Sequence, residues 1–207
     1  MVTFFYLLVL IFSVVIHEVS HGYAAKALGD NTAEEMGRLT LNPIKHIDPV
    51  GSILVPLFLY ISAKLLGGPM FLFGWANPVP YNPYRLKNQK TGPALVAAAG
   101  PFSNLFLASA FGIAIRLGIA PIDPSLGALF FVIVSVNVML AVFNCVPIPP
   151  MDGSKILFGV MPYQWRGVET FLTRNSMILF LVFLFFGFQI IMPAVSGLVR
   201  ILTGIAL

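Results

Sequence analysis

His17-Glu18-Val19-Ser20-His21 puts two imidazoles and a carboxylate within one helical turn. On a helix, positions i and i+4 lie one above the other on a single face, so both rings can reach one ion. Glu18 stands beside them, able to take a proton from an activated water without itself being a ligand. This is the residue pattern of a zinc-dependent hydrolase helix. The block continues the uncharged run 1–16, and ionisable groups inside a membrane helix are costly enough to be functional by default. The plainer alternative is a polar packing cluster between helices.

Two histidines leave such a centre one ligand short, because catalytic zinc takes three protein ligands and keeps one open position. A third histidine six residues on is absent, since position 27 is Ala27. Glu34 and Glu35 lie a little downstream, beside a loop. Asp152 is the stronger candidate, in Asn144-Cys-Val-Pro-Ile-Pro-Pro-Met-Asp152-Gly153, and it is the one acid between residues 124 and 154. Pro147, Pro149 and Pro150 end the preceding helix and keep the chain extended, while Gly153 permits a tight turn. A competing role for Asp152 is the N-cap of the segment that follows.

Stepping outward, the elements that position these residues are membrane segments. The 207 residues are 58% hydrophobic and 10% charged, with 19 Phe and a mean hydropathy of +0.91. Soluble chains carry about 25% charged residues, so a soluble domain, a disordered chain, a nucleic-acid binder and a disulfide-stapled module are excluded as classes. Cys145 has no second cysteine to pair with. A crossing needs about 20 apolar residues, which the uncharged runs 91–115, 124–151 and 175–199 supply. The run 1–16 crosses only if the HEVSH block continues the same helix. It is read as a retained helix and not as a signal peptide, because no positive residue precedes it. At 1.5 Å per residue His17 then lies about 22 Å into a hydrocarbon core about 30 Å thick.

The expected architecture is an all-α polytopic membrane protein with about four full transmembrane helices, a re-entrant helix and a small membrane-embedded extended or β segment. Residues 1–207 read as a single domain, with core helices about 3–28, 93–117 and 126–148 and a C-terminal helix about 176–204. The segment 51–80 is the irregular one. Gly51–Leu66 suits a short helix, but Gly67, Gly68 and Pro69 break it, and Gly74, Pro78, Pro80 and Pro83 forbid a second. Non-helical backbone at membrane depth survives only against protein, so the chain is expected to return to the side it left. Residues 160–174 suit a short interfacial helix or a loop with aromatic anchors.

Positive charge discriminates the topologies. If 51–80 returns, the 12 Lys and Arg divide nine against three, with Lys64, Arg116 and Arg200 alone on the far side. A single crossing divides them five against seven. The positive-inside rule favours the returning chain and makes the nine-charge side cytoplasmic, with both termini outside. His17, His21 and Asp152 then arrive at one cytoplasmic edge.

Taken together, the motifs resemble the site-2 protease family of intramembrane zinc metalloproteases, in its short prokaryotic branch without PDZ or CBS domains. HEVSH at 17–21 is similar to the family's HExxH, and NCVPIPPMDG at 144–153 to its Asn-x-x-Pro-x-Pro-x-x-Asp-Gly motif. Gly100-Pro-Phe-Ser-Asn104 is similar to its Gly-x-x-x-Asn signature, and the stretch 37–49 resembles the short branch. The resemblance implies His17, His21 and Asp152 as ligands of one Zn2+ per chain and Glu18 as catalytic base. It implies Asn144 beside the substrate backbone, with Asn104 a further substrate-side candidate, and a strand edge for unwound substrate somewhere in 69–80. The implied partners are a transmembrane protein or peptide substrate and the lipid bilayer, with no nucleic acid. The implied location is a prokaryotic inner membrane, with the active site toward the cytoplasmic side.

Other residues have plainer readings. Asn104 can serve as packing glue between helices, and Gly100 can simply permit close approach. Asn137 faces the site or a neighbouring helix. His46 and Asp48 form an H-x-D pair that reads as an interfacial loop capped by Asp48-Pro49, not a second metal site. Cys145 reads as a buried, inert thiol. The alternative function is an intramembrane divalent-metal transporter or channel, against which the clustering of polar residues near one face argues. A catalytically dead scaffold is disfavoured, because Glu18 adds nothing to mere metal holding.

Overall fold

Where the sequence runs long without charge, the chain winds into helices, since a helix satisfies every backbone group within its own segment. The computed structural model describes residues 2–66, 74–119 and 124–205. Helix α1 (Val2–Ala27) comes first, then a short α2 (Thr32–Glu35). A π-helical turn, Pro49–Leu54, runs into α3 (Val55–Leu66). Next come α4 (Gly92–Arg116) and α5 (Pro124–Asn144). Two shorter helices follow, α6 (Asp152–Val160) and α7 (Arg166–Arg174). The chain ends in α8 (Ser176–Val182) and α9 (Phe188–Thr203), linked through a π-helical turn at Phe183–Gly187. No β-strand occurs among the described residues.

Among the described residues, four stretches are long and apolar enough to cross a membrane: Phe4–Ala27, Gly92–Arg116, Gly127–Asn144 and Ser176–Thr203. The burial pattern is inverted relative to a water-soluble fold. Phe4, Phe102, Phe106 and Phe185 face outward, while Asn104 and Asn137 are fully buried. Lipid tails accept the phenyl rings, and the amides find partners only inside the bundle. Hydropathy and burial together define a multi-pass membrane protein.

Helix α4 is the central post, packed against α1, α5, α6 and α9. It can be central because most of its buried positions are small, among them Ala94, Ala97, Gly100, Ala108 and Gly112. One apolar layer joins Ala108 to Val134, Val138, Val195 and Val199. A second joins Met151 to Phe183 and Ile191, which seats the turn before Asp152 against the C-terminal helices.

One helix boundary, one extended segment and one environment differ from expectation. Helix α5 stops at Asn144, not 148, and residues 145–151 form turns, because Pro147, Pro149 and Pro150 have no N–H to extend it. Residues 67–73 of the irregular segment lie outside the described residues, and 74–82 is extended chain without a strand ladder. Within it, Trp75 N donates to Gly51 O at 3.2 Å and Asn77 N to His46 O at 2.8 Å. The chain is thus back beside the start of the excursion by residue 75. Cys145, expected to be buried, is exposed, on an apolar groove with Val146, Ile190 and Ala194. Facing lipid suits a thiol as well as burial does.

The turn after α1 is held by Asp30, which is fully buried. Its carboxylate accepts from the backbone and hydroxyl of Thr32 and from Asn82 N. Burial pushes the carboxyl up, but these donors outweigh it and leave the pKa below the ordinary Asp value. A carboxylate lowered in the folded state adds stability that is full above its unfolded pKa, about 3.9, and is lost as pH falls through the lowered value. Asp30→Asn is therefore expected to destabilise the protein by about 1.5–3 kcal/mol near pH 7. Thermal unfolding in detergent measures this, and the gap to wild type should shrink below about pH 4.

Candidate active site

Three ligand atoms converge where α1, α4 and α6 meet. His17 Nε2 and His21 Nε2 each lie 3.1 Å from Asp152 Oδ2, and all three residues are buried. The two rings come from one face of α1, as the i, i+4 spacing requires. Asp152 arrives at the first residue of α6, after the proline turns. Gly153 allows this close seating, because a Cβ there would stand 2.2 Å from Cys145 O. Gly100 on α4 has a comparable role. A Cβ at that position would meet His17 Nε2 and His21 Cε1 at 2.5 Å, so only glycine lets the central helix pass the rings.

The orientation of each ring follows from its partners. Asn137 Nδ2 donates to Ile133 O, a carbonyl that only accepts, which orients that amide. The same group donates to Ser13 Oγ. Asn137 Oδ1 therefore accepts from Asn104 Nδ2 at 2.8 Å, and Asn104 Oδ1 is left facing His17 Nδ1 at 2.6 Å. His17 Nδ1 must then carry the hydrogen. His21 Nδ1 likewise donates to Val96 O at 2.7 Å. Both rings thus turn Nε2 toward the same carboxylate oxygen.

This buried donor set fits zinc. It offers two imidazole nitrogens and one carboxylate oxygen, leaving a fourth position free. Outer partners that fix the tautomer are the usual support of such ligands. Burial pushes the Asp152 carboxyl up, yet the rings opposite outweigh it and hold it well below the usual carboxylate range, so it remains an anion. Lys155 Nζ stands 3.7 Å from its other oxygen. Among the described residues, His17, His21 and Asp152 form the group of His, Cys, Asp and Glu side chains close enough to share an ion.

The other candidates separate cleanly. Glu18 is half-buried beside the centre, and its Oε2 accepts from Val79 N at 3.0 Å, so the extended chain lies against it. Glu34 and Glu35 are spent on the surface, paired with Lys26 at 2.6 Å and Arg85 at 2.8 Å. Asn144 turns back to Leu140 O on its own helix. Asn104 is fully buried and committed to His17, Asn137 and Ser13, away from any surface a substrate could touch. His46 is buried, with Nε2 donating to Thr40 O, and Asp48 caps the π-helical turn by accepting from Gly51 N. They form no second metal pair.

Three contributors went unread in the sequence. Ser13 was legible in principle, since it precedes His17 by four positions on the same helix face. The Val96 carbonyl and the Val79 N–H are backbone groups, which leave no mark in residue type. Loss of the Asn104 amide is expected to lower zinc affinity by about 10–100-fold. Asn104→Ala, titrated with zinc against a chelator of known affinity, measures this.

A helical membrane bundle with a buried His-His-Asp centre and an adjacent glutamate defines the class as a membrane-embedded metallohydrolase. A profile of peptidase family M50 matches residues 119–188, which include Asp152. YwhC of Bacillus subtilis, whose name proposes a zinc metalloprotease, is 38% identical over 185 residues, covering 84% of this chain and 76% of its own. Rip2 of Mycobacterium tuberculosis, named in the same terms, is 31% identical over 144 residues, covering 68% of this chain and 51% of its own. The Mycolicibacterium smegmatis Rip2 is also 31% identical. No solved structure matches the chain. The chain belongs to peptidase family M50, the site-2 protease family. It is accordingly a zinc metalloprotease of the membrane, and metal transport is not favoured.

Proposed function

We propose that this protein hydrolyses peptide bonds of transmembrane segments near the cytoplasmic face of a prokaryotic inner membrane. His17, His21 and Asp152 hold one zinc ion, and Glu18 is the general base. The convergence of two Nε2 atoms and one carboxylate oxygen within a buried pocket carries the reading.

Bound zinc supplies a Lewis acid for the scissile carbonyl and makes water more acidic. Asn104 and the Val96 carbonyl hold the two rings in the tautomer that binds it. Glu18 takes the proton of the attacking water and returns it to the leaving nitrogen. A transmembrane substrate must unwind first, because its peptide bonds are locked in helical hydrogen bonds.

The extended chain 74–80 is suited to receive the freed groups. Its odd-numbered N–H groups face inward, from Trp75 to Gly51 O, from Asn77 to His46 O and from Val79 to Glu18. Alternation turns the even-numbered residues the other way. Pro78 and Pro80 have no N–H, so Gly74 and Ala76 are the donors this stretch can offer. The return of residues 75–77 beside residues 46–51 supports a re-entrant 51–80, and with it the nine-against-three charge division. That topology puts the zinc ligands toward the cytoplasm.

The decisive measurement uses purified protein in liposomes with an inserted transmembrane peptide. Cleavage that stops on chelation and returns with zinc is expected, with no zinc flux across the bilayer. Zinc flux without cleavage would overturn the reading.

A further inference from the structure

The chemistry of the zinc site leaves unexplained a cluster of cations about a second cavity. That cavity, of about 400 Å3, opens where α4 and α6 approach α7, and Lys90, Lys155 and Arg166 line it against a single carboxylate, Glu169. Cavities of this size are typical of small-ligand sites. Lys90 Nζ lies 4.3 Å and the Arg166 guanidinium 4.9 Å from the centre of the Tyr163 ring, so two cations share one aromatic platform with a third nearby. Such crowding of like charge is unfavourable unless an anion sits among them. An arginine and two lysines around one space are also the residues that recognise phosphate.

Position in the fold indicates where the phosphate comes from. Lys90 lies two residues before the start of the membrane-crossing helix α4, and α7 ends two residues before α8 begins the last crossing. The cavity therefore stands at the level of the lipid headgroups. Tyr163 and Trp165 project outward beside it, as aromatic rings do at a membrane interface. Along α7, Val168, Phe171 and Leu172 fall on one face, and Arg166, Glu169, Thr170 and Thr173 lie away from it, the pattern of a helix lying in the interface plane. Basic pockets between membrane helices suit anionic headgroups.

We propose that this cavity binds the phosphate group of an anionic phospholipid, with Lys90, Lys155 and Arg166 as its charge partners. The site is separate from the zinc centre and independent of the protease reading, although Lys155 borders both. For that reason Lys155 is left intact in the test.

The full chain is reconstituted in phosphatidylcholine vesicles with trace spin-labelled phosphatidylglycerol or spin-labelled phosphatidylcholine, and the motionally restricted fraction is read by electron paramagnetic resonance. Wild type is expected to prefer phosphatidylglycerol. Lys90→Gln and Arg166→Gln should each cut that preference roughly fivefold. Both side chains are exposed, so the variants are expected to fold, and either single variant suffices. Lys45→Gln with Lys87→Gln removes two exposed cations outside the cavity and should leave the preference intact. If millimolar inorganic phosphate displaces the labelled lipid from wild type, the site takes phosphate from either source. If it does not, the headgroup is the ligand. No preference in wild type, or an equal loss in the control pair, would overturn the proposal, because diffuse surface charge would then account for the binding.

Discussion

Glu18→Gln is expected to lower the cleavage rate by about 10²–10⁴-fold while the protein still carries one zinc per chain. The substitution is nearly isosteric. The amide oxygen can still accept from Val79 N, which lies 3.0 Å from the native carboxylate, so the extended chain stays docked. What is lost is basicity, since an amide cannot take a proton from water near neutral pH. Metal analysis and cleavage of an inserted transmembrane peptide, on the same preparation, separate the two properties. Cleavage at the wild-type rate would remove Glu18 from the base role. Loss of zinc together with cleavage would make it a ligand instead.

Asp152→Ala is expected to have the opposite signature. It deletes one of the three atoms that converge in a buried cluster, leaving two Nε2 atoms with no anion opposite them. Loss of a supporting outer partner typically costs 10–100-fold in metal affinity, and loss of a direct ligand should exceed that. Zinc titration against a competing chelator gives the affinity. Cleavage should fall with occupancy and recover in part when zinc is added in excess. Lys155 loses its acidic neighbour in this variant, but it is half exposed and remains solvated. Zinc retained at wild-type affinity would exclude Asp152 as a ligand. Paired with Glu18→Gln, the variant distinguishes metal binding from proton transfer.

Much of this centre could be read before any fold was known, and the reasons are local. HEVSH at 17–21 needs only the helical period to align its two rings, and the uncharged runs need only length to become crossings. Asp152 was distinguished from Glu34 and Glu35 by its setting, a lone acid in an apolar stretch after three prolines. The fold brings Asp152 to the two rings and leaves both glutamates in surface ion pairs with Lys26 and Arg85. Cys145 shows where such reasoning stops. In a bilayer an apolar side chain is stable facing lipid or facing protein, so hydropathy does not separate the two, and the thiol expected inside lies outside.

By itself, then, the sequence determined the class of chemistry and the helices that carry it, because ligand type, spacing along one helix and hydrophobic length are properties of neighbouring residues. The tertiary structure alone decided which nitrogen of each ring points at Asp152. That choice rests on Asn104, 87 residues from His17, on the Val96 carbonyl, 75 residues from His21, and on the space left by Gly100. Such partners are selected by how closely helices approach, and a linear pattern carries no record of that distance.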